Sequence, residues 1–200
     1  GEYRESKWVA DRRAYCDDRY KLSVMFPAAL AETRIYKNAP FDVCKSSAEN
    51  TFFNRWSEIK HNVILHWVDE VEERGNYAMA LYSDHTTSYQ HGSDYPLALT
   101  LQYSGQGLWG RNYLIDRSTQ VKYSLMPHTG TWQKAKVSEK SDCINEPLQA
   151  IIINDDKLLS KSYVQLAEGV MMSAANVVDN SVVIRLYNAS GIAGKKRVTL

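Results

Sequence analysis

The residues best suited to chemistry in this sequence are five histidines and four pairs of adjacent carboxylates. His61, His66, His85, His91 and His128 raise the question of a metal, because imidazole is the commonest zinc ligand. Their spacing argues against one. His61 and His66 are five apart and face opposite sides of a strand, while His85 and His91 bracket a loop whose carboxylates at ligand spacing are Asp84 and Asp94. Polar structural histidines are the expectation, with no metal ligand assigned. The carboxylate pairs are Asp17 with Asp18, Asp69 with Glu70, Glu72 with Glu73, and Asp155 with Asp156. Two carboxylates roughly 5 Å apart can serve as nucleophile and acid–base. These pairs are sequence neighbours in polar runs, however, and are expected in solvated turns, so no catalytic residue is assigned. No nucleophile elbow, phosphate loop or dinucleotide fingerprint occurs, and the glycines of GQGLWG lie between strands with no helix after them.

The elements that must position such groups read as strands. YAMALYSD places Tyr77, Met79 and Leu81 on one face and Ala78, Ala80 and Tyr82 on the other, and LALTLQYS repeats the pattern with Leu97, Leu99 and Leu101. HTTSYQHGSDYP, between them, supplies Gly92, Asp94 and Pro96 and is expected to be a loop joining two strands of a central hairpin. VKYSLMPH follows as a third strand, closed by GTW. Upstream, Leu22, Val24 and Phe26 alternate with Lys21, Ser23 and Met25, and Pro27 ends that strand because it has no N–H to pair. ETRIYKNAPFDV is a further strand ending at Pro40. NVILHWVDEV is expected to be one strand, Val63, Leu65 and Trp67 opposing Asn62, Ile64 and His66, that turns at Gly75 and Asn76 into the central strand. Gln133 to Ile144 predicts a short surface helix with Lys134, Lys136, Glu139 and Lys140 on its wet side. The last third returns to β structure, with turns at Asp155–Asp156 and at Asp179–Ser181. Strands punctuated at this density predict an all-β, antiparallel β-sandwich with one short surface helix.

Composition narrows the partners. A chain of 200 residues, 44% apolar, buries roughly 70% of its unfolded surface. With 24 Lys and Arg against 23 Asp and Glu, the net charge of +1 supplies no field for nucleic acid or an anionic membrane. The apolar runs fall far short of a membrane span, and no signal peptide is evident. The opening GEYRESKWVADRR, without a start methionine, is expected of a segment cut from a longer protein. Cys16, Cys44 and Cys143 are odd in number and lack a CxxC, so three buried thiols are expected, with one disulfide plus a free thiol as the alternative. Asn188-Ala189-Ser190 matches a glycosylation acceptor by pattern alone.

The order KLSVMFP, ETRIYKNAPF, YAMALYSDHTTSY, LALTLQYSG, KYSLMPHTGTW, NEPL and VVIRLYNASG resembles the C-terminal β-domain of glycoside hydrolase family 38, the retaining, zinc-dependent α-mannosidases. The resemblance runs from about Arg12 to the end, and PHTGTW followed by NEPL is its most specific part. It implies that residues 1–200 are a C-terminal β-sandwich domain whose N-terminal catalytic α/β domain is absent. The nucleophile and the zinc would belong to that missing part. This segment would pack on the catalytic domain and help shape a cleft for α-mannosides, while being inactive alone. The loops SDHTTSYQHGSDY and SGQGLWGRNY carry hydroxyls, imidazole, aromatic faces and a guanidinium, a mix that suits pyranose rings. Asp84, His85, Trp109 and Arg111 are accordingly the substrate-binding candidates. The family's Arg-rich segment is replaced here by LTLQYSGQGLWGR, with Gln102 and Tyr103 before Arg111. The plainer alternatives are that Asp84 accepts N–H groups of its own loop and that Arg111 stacks on Trp109 at the surface. Two other roles stay open: an autonomous carbohydrate-binding module using Trp109 and Trp132 as a platform, and a purely structural domain in which those tryptophans are buried.

Overall fold

A computed structural model describes residues 21–46, 60–74, 76–92, 95–103, 105–106, 112–113, 117–146, 148, 150, 152 and 162–200. The strands run in chain order as β1 (Lys21–Phe26), β2 (Thr33–Ala39), β3 (Asp42–Ser46), β4 (Lys60–Ile64), β5 (Trp67–Glu72), β6 (Tyr77–Ser83), β7 (Thr87–Gly92) and β8 (Tyr95–Tyr103). There follow the short pair β9 (Gly105–Gln106) and β10 (Asn112–Tyr113), then β11 (Tyr123–Thr129) and helix α1 (Val137–Asn145). The chain closes with β12 (Gln165–Leu166), β13 (Val170–Val178), β14 (Ser181–Asn188) and β15 (Val198–Thr199).

Two antiparallel sheets form the sandwich, one in the order β1-β8-β7-β4 and the other β11-β6-β5-β2-β3. Alternation explains how they meet. Phe26, Ile64, Tyr89, Leu97 and Leu99 from the first sheet close on Ile35, Val68, Met79 and Leu81 from the second. The opposite face of the five-stranded sheet is also buried at its centre. There Trp67, Ala80 and Tyr82 pack against Trp132 and Val137, so β6 is covered on both sides and residues 78 to 83 are all buried. A strand in that position cannot show a wet face, whatever its alternation suggests.

The sandwich, the surface helix, and strands β1, β2, β6, β8 and β11 agree with the reading of the sequence. Other features differ. HTTSYQHGSDYP is not one loop: Thr87–Gly92 pairs with β8 and β4 as a strand. β6 and β8 therefore form no hairpin and lie in different sheets. NVILHWVDEV is two strands, because the chain leaves the four-stranded sheet after Ile64 and enters the five-stranded sheet at Trp67. Ile64 and Trp67 are both buried, although an even alternation places them on opposite faces. The bend at Leu65 and His66 lets each fill a different core. The helix begins at Val137 and not at Gln133. Residues 131–136 wind as turns bonded by Ala135 N–H to Thr131 O (3.0 Å) and Val137 N–H to Trp132 O (3.0 Å), and Lys136 enters the left-handed region at φ 55°. Those turns bury Trp132 and Val137 together.

The Asp179 and Asn180 turn is as expected, both residues having positive φ (47° and 63°), the geometry of the tight two-residue hairpin between β13 and β14. The Asp155–Asp156 turn lies outside the described residues. Buried thiols are not the rule: Cys44 is half-buried and Cys143 is exposed, both free. Cys16 lies outside the described residues. Leu99, fully buried in the inter-sheet core, tests the register directly. Leu99→Ala should lower unfolding free energy by about 2 to 5 kcal/mol in urea denaturation, and a loss near zero would contradict the packing described.

Candidate functional site

The turn after β6 holds two of the four sequence candidates. His85 Nδ1–H donates to Asp84 Oδ1 at 2.6 Å, and Asp84 Oδ2 accepts the N–H of Lys122 at 3.2 Å. These bonds hold the Asp84 carboxyl below its usual range, the His85 bond being the larger cause. Ser83 Oγ donates to His85 O at 2.8 Å, fixing the turn. In the neutral ring with Nδ1–H committed to Asp84, Nε2 carries the lone pair and can accept from a ligand hydroxyl. Asp84 thus binds the N–H of Lys122, from the segment that leads into β11, and orients a half-exposed imidazole.

Strand direction decides what can join this pair. β7 leaves the Asp84–His85 turn and β8 returns antiparallel to it, with Tyr89 opposite Leu99 and Thr87 Oγ1 donating to Thr100 O at 2.9 Å. Tyr103, the last residue of β8, therefore ends on the same end of the sandwich as His85. The chain continues from that end into β9 and β10. Trp109 and Arg111, between those two strands in sequence, lie outside the described residues. The topology brings their segment's starting point beside Asp84 and His85.

Trp132, the other platform candidate, is buried, its indole 5.7 Å from that of Trp67 with a 38° tilt. A buried ring cannot offer a face to a sugar, and Gly191 packs on it so closely that a Cβ there would stand 2.9 Å from Trp132.

The carboxylate pair Asp69–Glu70 is not a solvated turn. Asp69 is 0% exposed and Glu70 is 7% exposed, each on a different face of β5. Glu70 accepts from Thr33 Oγ1 at 3.0 Å. Asp69 Oδ1 accepts from His128 Nε2 at 2.9 Å, across the intervening strand β6. The register explains the reach: Asp69 stands opposite Ala80 and His128 opposite Ala78. Two small residues on β6 leave room for the side chains of β5 and β11 to meet above them. Burial pushes the Asp69 carboxyl up, against the pull of His128, and the bond to Asp69 holds His128 above its usual value. Both His128 nitrogens face acceptors, Asp69 and the Thr129 carbonyl. The pair ties β5 to β11 across β6. Among the described residues no group of three or more His, Cys, Asp or Glu side chains is placed to hold a metal ion, so those residues do not fit a zinc site.

A second polar cluster escaped the sequence reading. His66, Asp142, Glu146 and Tyr187 line a cleft of about 290 Å³ between the β2–β3 turn, the end of α1 and the base of the β13–β14 hairpin. Asp142 Oδ2 is shielded from water without a hydrogen-bond partner among the described residues. Burial, then the neighbouring Glu146, pushes the Asp142 carboxyl up to about 6. No sequence signal announces this cluster, because its members come from three separate segments.

Solved structures share the fold. A protein in glycosyl hydrolase family 38 from Enterococcus faecalis superposes with TM-score 0.68 at 18% identity, over 90% of this chain and 22% of its own. An alpha-mannosidase from Enterococcus faecalis V583 superposes with TM-score 0.69 at 19% identity, over 90% of this chain and 21% of its own. The β-sandwich is thus the fold of a segment of those proteins, and the chain spans about a fifth of their length. No protein-family profile and no curated protein sequence matches the chain.

The buried pair carries a pH dependence. A histidine whose folded pKa is raised above the ordinary 6.5 contributes stability that is complete below that value and is lost as pH rises through the folded pKa. Asp142, raised from 3.8 to about 6, has the same sign in a lower window. Urea midpoints should therefore fall from pH 6.5 upward, and His128→Gln should abolish that part of the fall while lowering stability at pH 6. A midpoint independent of pH above 6.5 in the unmutated chain would count against the pairing.

Proposed function

We propose that this chain is the β-sandwich part of a glycoside hydrolase acting on α-mannosides, packed against the catalytic domain of a longer polypeptide. The observation that carries the reading is the fold likeness over 90% of the chain to two proteins described as a glycosyl hydrolase family 38 protein and an alpha-mannosidase. The order of sequence motifs points the same way. The catalytic carboxylate and the zinc ion belong, on this reading, to the catalytic domain. The chain's own part is positional: the end of the sandwich that carries Asp84 and His85 faces the cleft, His85 Nε2 accepts a sugar hydroxyl, and Trp109 and Arg111 are further candidates for contact with the sugar.

Two rival roles differ in what they ask of the tryptophans. The buried Trp132 favours a scaffold over an autonomous carbohydrate-binding module, since it removes one of the two platform candidates. A scaffold that only supports the catalytic domain would leave turnover indifferent to Asp84, His85 and Arg111.

Hydrolysis of an aryl α-mannoside should occur with the longer polypeptide, be abolished by a zinc chelator, and be absent from the 200-residue chain. Activity in the short chain, or none in a folded, metal-loaded longer polypeptide over a panel of α-mannosides, would refute the reading. In the longer polypeptide Arg111→Ala and His85→Ala should each lower kcat/KM by about tenfold, the equivalent of roughly 1.4 kcal/mol, with the melting temperature unchanged. Unaltered kinetics would take those two residues out of the cleft and leave the scaffold role.

A further inference from the structure

The groove between α1 and the β13–β14 hairpin base is unused by the function proposed above. It consists of two adjacent cavities, of about 320 Å³ and 290 Å³, that share Ser138, Met171 and Ala189 as wall. Their electrostatics differ. The first is mainly apolar, walled by Trp132, Val137, Met171 and Ile192; Lys134, Lys136 and Lys196 also line it against Glu139 and Glu168, and Lys136 Nζ meets Glu168 at 3.1 Å and Glu139 at 3.5 Å. The second holds Asp42, Asp142 and Glu146, with His66 as the titratable group of opposite sign, and among the described residues no lysine or arginine lines it.

Three features distinguish this end among the described residues. Asp142 lies in the last turn of α1, which contains no basic residue, and Glu146 is its C-cap; the carbonyls at a helix C-terminus add partial negative charge. Asp142 Oδ2 is cut off from water and has no donor among the described residues, although a shielded carboxylate oxygen ordinarily has one. At the mouth, Phe41 is 57% exposed and meets the Tyr187 ring edge-on at 5.8 Å. Phe41 also sits at φ 62°, a strained conformation for an aromatic residue that keeps its side chain at the rim of this cleft. Carboxylates beside aromatic faces match a guanidinium, which forks onto the former and stacks on the latter.

We propose that the acidic end of this groove receives an arginine side chain from a segment of the longer polypeptide outside these 200 residues, with an apolar side chain of the same segment in the neighbouring cavity. This rests on the reading that a longer polypeptide exists, which the solved structures support: this chain spans 22% and 21% of theirs. The guanidinium gives Asp142 Oδ2 its donor and neutralises the two carboxylates. The apolar residue fills the cavity at Trp132. The segment thereby ties the hairpin to α1.

N-acetylarginine amide is the probe, followed by NMR shifts of the last turn of α1. It should bind the 200-residue chain saturably, at least tenfold more tightly than N-acetylglutamine amide. Asp142→Asn should weaken it at least tenfold, and Glu146→Gln, at an exposed position, serves as a second variant should the first fail to fold. In the longer polypeptide the cleft should be filled and the probe should not bind. Absence of binding to the short chain, or binding indifferent to both substitutions, overturns the proposal. Equal binding to both lengths overturns it too, since the cleft would then be an open site for a free cation. Probe-sensitive dimerisation of the short chain overturns it in favour of a second copy. A longer polypeptide without mannosidase activity but with a blocked cleft would sink the functional reading and leave this inference standing.

Discussion

The centre of the five-stranded sheet, strands β5 and β6, is buried on both faces, and most of the molecule follows from that. One face closes the sandwich through Ile35, Val68, Met79 and Leu81. The other receives Trp132 and Val137 from the segment around α1. A strand held between two layers has little room, which is why β6 carries Ala78 and Ala80. Those small residues in turn let Asp69 and His128 meet across it at 2.9 Å. A buried carboxylate without that partner would be several kcal/mol too costly, so the alanines, the aspartate and the histidine form a single solution.

The same layering gives the molecule two ends with different chemistry. At one end the β6–β7 turn, the exit of β8 and the start of β11 come together, tied by Asp84 to Lys122 and by Ser83 N–H to His66 O at 2.8 Å. Such loops on a rigid sandwich are where binding groups are usually displayed. The oriented imidazole of His85 is of that kind. On the outer side of the five-stranded sheet, α1 and the β13–β14 hairpin leave a groove that is apolar at one end and acidic at the other. The Asp142 and Glu146 carboxylates sit at the helix end where the backbone already carries negative charge, a placement that works against the helix alone and calls for a cation from elsewhere.

Much of the architecture could be read from residue types. Alternation identified β6, β8 and β11, Pro27 ended β1, and Asp179 with Asn180 marked a hairpin, because these signals are local: side-chain direction repeats every two residues, and turn residues act on their own backbone dihedrals. The ordered motifs also pointed to a known fold, and solved structures share it. The Asp84–His85 pair was visible for the same reason, being two neighbours in a turn after a strand.

Sheet membership, burial of charge and the groove were decided by tertiary structure alone. The sequence contains Thr87–Gly92 as a polar stretch, and only pairing with β4 and β8 makes it a strand, with Tyr89 and Gln90 buried. NVILHWVDEV alternates well enough to pass for one strand, yet the two cores each claim one of Ile64 and Trp67 and break it at His66. Asp69 and Glu70 look like surface charge until the partners arrive from Thr33 and His128, 37 and 59 residues away. The acidic cleft likewise gathers Phe41, His66, Asp142 and Tyr187 from distant segments. Local sequence determines where the chain extends and turns; which polar groups are shielded from water depends on what packs over them, and that is settled only when the layers close.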